Sequence, residues 1–211
     1  MSKFNLVTDA RLGQGAYSSN NSGNSATIDG WKPIEVVLNK GEKFSNTFGA
    51  HLYQKEGQYK VVFRGTEGNL ADWAQNLKYG TFQWSDEFKD TVAFMAKAVV
   101  QVARETRQSL QDAAQLFTTT GHSQGGFQAE LAALMFGVKG TSLDGMGSTG
   151  VVAQFRAELN KAMQDNGAGD LVRTDAVLTL KNEDFLTRIY TAVGRLGVHA
   201  GVNDPQWLLA A

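Results

Sequence analysis

A chain of 211 residues, 42% of them hydrophobic and 19% charged, is long enough to bury one sizeable core and too apolar to stay disordered. Its formal net charge of −1, spread in short runs of mixed sign, excludes the electrostatic footprint of a nucleic-acid binder but leaves a lipid surface open. The absence of cysteine excludes disulfides, thiolate nucleophiles and Cys-ligated zinc; His51, His122 and His199 share no close metal-binding spacing, so neither metal nor cofactor is expected.

From the N-terminus, the first residues lack the apolar run of a secretory signal peptide, and no segment approaches the ~20 apolar residues needed to span a bilayer. A cytoplasmic location, or export by a leaderless route, is the expectation. Phe4 to Tyr17 reads as a helix, weakened by Gly13 and Gly15, and the polar run from Ser18 to Ser25 as a loop. Trp31 to Val37 reads as a strand begun through Pro33. His51 to Gln54 and Gly57 to Phe63 read as a hairpin, with β-branched and aromatic residues on either side of a polar turn.

A helix is predicted from about Ser85 to about Thr106, because Phe88, Val92, Met95, Val99, Val102 and Ala103 recur at three- and four-residue spacing. Ala114 to Thr120 reads as a buried strand, Phe127 to Phe136 as a helix rich in Ala and Leu, and Thr141 to Leu143 as a weaker strand. An amphipathic helix over Val151 to Met163 and a last strand over Ala176 to Leu180 complete the pattern. Strands alternating with helices imply an α/β fold: a mainly parallel sheet flanked by helices, with the antiparallel hairpin toward one side. With no internal repeat, residues 1–211 are expected to form a single domain.

Gly121-His122-Ser123-Gln124-Gly125 fits G-x-S-x-G in the strand–turn–helix setting that the motif requires. The chain must reverse so sharply there that the serine takes a strained backbone conformation, and bulk two residues to either side is forbidden. Ser123 is therefore the candidate nucleophile, its oxygen standing at the positive end of the next helix. Gly126 and Ala129 keep that helix close to the sheet. His122 points to the other side of its strand, so packing or hydrogen bonding suits it better than a role as base.

Acyl transfer also needs donors aimed at a developing oxyanion. The backbone N–H of Gln124 is one candidate. Thr66, after the run Val61-Val62-Phe63-Arg64-Gly65, offers both an N–H and a hydroxyl. Taken together, Phe63-Arg64-Gly65-Thr66, Asp72-Trp73, Asn76-Leu77 and Gly121 to Gly126 resemble the class 3 lipases, a family on the α/β-hydrolase fold that includes bacterial lipases and phospholipases A1. The resemblance is specific between about residues 58 and 137. It implies that Thr66 forms the oxyanion hole and that the segment after it carries a lid. Arg64 reads first as a salt-bridged structural residue. Trp73, Tyr79, Phe82 and Trp84 suit core packing and transient contact with a lipid interface equally well.

In α/β-hydrolases the acid and then the base follow the nucleophile along the chain. His199 is the one histidine after Ser123, which makes it the candidate base. Asp184 is the first choice of acid, since it follows the strand expected at Ala176 to Leu180 in a setting similar to the family's own. Asp144, after the strand Thr141 to Leu143, is the runner-up. Glu183 is a register slip away, and Asp175 would sit at the wrong end of its strand. The step of 15 residues from Asp184 to His199 is shorter than is usual in the family.

The expected function is hydrolysis of carboxylic, preferably lipid, esters through an acyl-enzyme, with lipase or phospholipase A1 character implied by the resemblance. A short-chain carboxylesterase or an acyltransferase stays within the same class. The competing class is a lipid- or partner-binding module that keeps the fold without turnover. Some bacterial relatives bind calcium, but the chain carries neither an EF-hand nor a glycine-aspartate nonapeptide. Oligomeric state is not legible at this level.

Overall fold

The computed structural model describes residues 5–18, 26–65, 85–143, 145 and 147–172, and the strands 185–189 and 199–201. Among these, seven strands form one sheet whose spatial order follows the chain: β1 Lys32–Ile34, β2 Ala50–Lys55, β3 Gln58–Phe63, β4 Phe117–His122, β5 Lys139–Leu143, β6 Phe185–Ile189 and β7 His199–Gly201. The strands β3 to β6 run parallel. Antiparallel pairs flank them, β1–β2–β3 on one side and β6–β7 on the other. The helices are α1 Leu6–Ser18, α2 Asp86–Thr106, α3 Leu110–Ala114, α4 Gln124–Phe136 and α5 Thr149–Asp165, followed by a 3-10 turn at Gly169–Leu171.

Local chemistry accounts for most of these boundaries. The β2–β3 hairpin closes on Glu56 and Gly57, both at positive φ (50° and 74°), the two-residue turn whose twist matches paired strands. Helix α2 starts at Ser85, whose hydroxyl accepts the Glu87 N–H at 3.2 Å, and it ends where Arg107 turns left-handed. Helix α3 carries a reciprocal cap: Ser109 accepts the Asp112 N–H at 3.1 Å and donates to the Asp112 carboxylate at 2.7 Å.

Strand β3 serves two cores. On β3, Tyr59, Val61 and Phe63 face the main core, built with α2, α4 and α5. Val62 faces a smaller one made with Leu12 and Ala16 of α1 and with Tyr53. Among the described residues α1 therefore covers one face of the sheet, and α2, α4 and α5, with Ala113 and Ala114 of α3, cover the other. Every residue of α4 is buried, the position of a helix enclosed between sheet and outer helices.

Two buried polar groupings stand out. Beneath α1, Asp9 accepts from Lys60 Nζ at 2.5 Å and from Thr141 Oγ1 at 2.8 Å, while the lysine also lies 5.2 Å from the centre of the Trp31 ring. Within the main core, Glu130 of α4 accepts the Ser148 N–H at 3.1 Å, at the start of α5. Burial pushes its carboxyl up to about 7. His51 is displaced in the opposite sense: burial, reinforced by the nearby Arg64 charge, lowers its pKa to about 4 against a bond to the Ala16 backbone.

Several expectations are revised. The strand expected over Trp31 to Val37 covers three residues, Lys32–Ile34. The polar groups beyond it are claimed by α2 instead, where Gln101 accepts the Val37 N–H at 3.0 Å and donates to the Glu35 carbonyl at 3.1 Å. Ala114 ends a short helix, and β4 begins at Phe117. The strand expected at Ala176 to Leu180 lies outside the described residues. Neither β6 nor β7 was expected.

Candidate active site

The turn between β4 and α4 holds Ser123 at φ 58° and ψ −123°, a conformation that L-residues adopt only under constraint. Tight packing supplies the constraint. A Cβ on Gly121 would run into the Gly125 carbonyl, and one on Gly125 would run into the carbonyl of Phe63 at the end of β3. Gly126 lets α4 settle onto β5, where a Cβ would lie 2.8 Å from Ser142 Oγ and 2.9 Å from the Leu143 carbonyl. The Ser123 N–H donates to Leu143 at 2.7 Å, and its carbonyl accepts from Phe127 at 3.1 Å. The Ser123 hydroxyl does not cap α4, and the residue is 6% exposed.

Gln124 opens α4 directly after the turn, so its N–H belongs to the unpaired first turn of a helix, where negative charge is stabilised. Its side chain is buried and its Nε2 donates to Glu87 Oε2 in the first turn of α2. His122 faces away from this side, toward α1: Nδ1 lies 3.2 Å from Tyr17 Oη, and the two rings meet edge-on at 6.2 Å. Tyr17 also packs against Gly65, where a Cβ would strike its hydroxyl and approach the His122 carbonyl at 2.8 Å.

The Arg64 N–H donates to Gly49 at 2.9 Å, and its guanidinium lies against that glycine, where a Cβ would approach Nε at 2.7 Å. Among the described residues no carboxylate pairs with Arg64. Thr66, Asp144, Asp184, Glu183, Asp175 and the aromatic group Trp73, Tyr79, Phe82 and Trp84 lie outside the described residues.

For His199 the backbone is described. It opens β7 and pairs with Ile189, the last residue of β6. Since His122 pairs with Leu143 and Leu143 with Arg188, this pair stands one step beyond that row, at the end of the sheet where Ser123 follows β4. Strand β6 begins at Phe185, which pairs with Gly140 at the other end. Asp184 thus directly precedes β6 in the chain, and the strand it is expected to follow lies outside the described residues.

Sequence reasoning missed Glu87, Tyr17 and the Asp9–Lys60 pair, all joined across long chain separations. A cavity of about 970 Å³, lined in part by Phe44, Phe48 and Phe94, lies beside β2; no residue of the Ser123 turn lines it. Among the described residues no group of three or more His, Asp or Glu is placed to hold a metal, and no helix is long and apolar enough to cross a membrane.

A mainly parallel sheet flanked by helices, with a strained serine between a central strand and a buried helix, defines the α/β-hydrolase class. The family model described as Lipase (class 3) matches residues 60–192, and the chain belongs to that family. Membership makes it a lipase-type ester hydrolase. A search of the curated proteins finds no match.

Proposed function

We propose that the chain hydrolyses carboxylic esters of lipids through a covalent acyl-enzyme formed on Ser123. The observation that carries this is the Ser123 backbone itself, held at positive φ by glycine contacts on both sides and followed at once by a helix N-terminus. In this reading Ser123 attacks the ester carbonyl while His199 takes its proton and then returns it to the leaving alcohol. The N–H groups of Gln124 and Thr66 receive the oxyanion, with the Thr66 hydroxyl as a further donor. Water then releases the acid by the same steps. Acylglycerols and phospholipids are the preferred substrates, because the family is one of lipases.

The carboxylate that orients His199 is Asp184 on the family resemblance. A second reading assigns it to Asp144, since β5 ends at Leu143 beside the Ser123 turn while β6 begins, just after Asp184, at the opposite end of the sheet. Asp184→Asn and Asp144→Asn separate the two: the true acid loses about 10⁴ in kcat, the other stays near wild type.

The central experiment labels the protein with a fluorescent fluorophosphonate and follows turnover of p-nitrophenyl esters, triglycerides and phospholipids below and above their aggregation thresholds. Labelling is expected in wild type and absent in Ser123→Ala; labelling that survives this substitution rejects the nucleophile. No labelling and no turnover in wild type would instead favour a lipid- or partner-binding module. A rate jump on aggregates marks a lipase, and its absence a short-chain carboxylesterase. Because two strands, β5 and β6, lie between β7 and β4, folded His199→Ala is the most exacting test: wild-type rates there exclude it as the base.

A further inference from the structure

We infer that Glu87 is a positioning residue for the oxyanion-hole amide of Gln124. The inference rests on the Ser123 acyl-enzyme reading and goes beyond it, since neither the motif nor the family match assigns a role to α2. Glu87 lies in the first turn of α2 and Gln124 in the first turn of α4, and both helices begin at the end of the sheet where Ser123 stands. Between them runs the hydrogen bond from Gln124 Nε2 to Glu87 Oε2. One residue further along, Phe88 packs against Phe127 with ring centres 5.5 Å apart, so the two helices are fixed side by side where this bond forms.

The chemistry on each side explains why the bond matters. The Gln124 amide is buried, 6% exposed, and a buried amide left without an acceptor is costly. A carboxylate acceptor makes the bond stronger than one between neutral groups. The oxyanion donor is the main-chain N–H of the same residue, and its direction follows from the peptide plane between Ser123 and Gln124. Residue 123 already sits in a strained conformation, so this plane needs support from both sides. The Phe127 N–H supports it by donating to the Ser123 carbonyl at 3.1 Å, and Glu87 supports it through the Gln124 side chain. Glu87 has its own anchorage, because its N–H is held by Ser85 Oγ at 3.2 Å and its carbonyl by Thr91 Oγ1 at 2.7 Å.

The test compares Glu87→Ala, Glu87→Gln, Gln124→Ala and the Glu87→Ala/Gln124→Ala double variant on a soluble p-nitrophenyl ester, with melting temperature recorded for each. Glu87→Ala is expected to lower kcat about tenfold with KM changed less than about twofold, since a misaligned donor costs less than the 10²–10³ of a lost one. In Glu87→Gln an amide oxygen still accepts from Gln124, so most of kcat should return. The double variant should be no worse than the more impaired single one, because both remove the same bond. Wild-type kcat in Glu87→Ala, single-variant losses that multiply, or an activity loss that tracks melting temperature without rescue by Gln, would each overturn the inference. Ser123→Ala run alongside keeps the two levels apart: its retaining activity refutes the acyl-enzyme reading, whereas Glu87→Ala at full rate with Ser123→Ala dead refutes the role of Glu87 alone.

Discussion

Ser123 combines a φ of 58° with a ψ of −123°, a backbone conformation that costs an ordinary side chain about 1–3 kcal/mol. Glycine removes that strain but gives back about 0.5–1 kcal/mol in unfolded-chain entropy. Ser123→Gly is therefore expected to stabilise the protein by about 1 kcal/mol while abolishing ester hydrolysis, which urea unfolding and an ester assay would check together. A loss of stability would mean that the serine side chain contributes more than its backbone costs. This turn was legible in the sequence because all its requirements are local: Gly121, Ser123 and Gly125 lie within five consecutive positions, and the steric demand falls on those positions themselves. The partners of the same turn were not. Glu87 meets Gln124 across 37 positions and Tyr17 meets His122 across 105, and no periodicity or motif announces a contact of that kind.

At the level of elements, the β2–β3 hairpin offers a clean test of turn chemistry. Gly57 tolerates its positive φ, but Glu56 occupies the other left-handed position with no side chain suited to it. Glu56→Asn should stabilise the protein by about 0.5–1 kcal/mol, read as a raised urea midpoint with an unchanged slope, with ester hydrolysis untouched. The hairpin was readable from its strand propensities and polar turn, α2 from its three- and four-residue periodicity, and α4 from its Ala- and Leu-rich run after the glycine turn. The shortened β1 shows the opposite case. Nothing near Val37 in the sequence says that Gln101 will take its N–H, and it is that helix side chain which satisfies the backbone where a longer strand was expected. The short α3 did carry a signal, the Ser109-to-Asp112 spacing of a capping box, hidden by the apolar run that follows it.

At the scale of the whole fold, the displaced titrations of Glu130 and His51 pull stability in opposite directions. The folded pKa of Glu130 is raised to about 7, so the folded state must either hold a buried proton or bear a buried charge. Its stabilising effect is complete below the ordinary carboxyl pKa of 4.5 and is lost as pH rises toward 7. The folded pKa of His51 is lowered to about 4, so its effect is complete above the ordinary 6.5 and is lost as pH falls toward 4. Their slopes offset one another between roughly pH 4.5 and 6.5. Glu130→Gln keeps an acceptor for Ser148 and leaves the His51 slope unopposed, so its melting temperature should gain on wild type as pH rises from 5 to 8. The gain is on the order of 3 kcal/mol at most. A gap between the two proteins that stays constant across that range would show that Glu130 titrates normally.

The knot of Asp9, Lys60 and Thr141 has a consequence for how the chain is made. The helix that carries Asp9 is synthesised before its partners: the ammonium that neutralises this carboxylate comes 51 residues later and the threonine that completes its bonding comes 132 residues later. Until both have left the ribosome, the helix holds a bare negative charge on the side that must press against the sheet, and water is the better neighbour for it. Helix α1 is thus translated early and seated late, waiting for its counter-charge before it locks down.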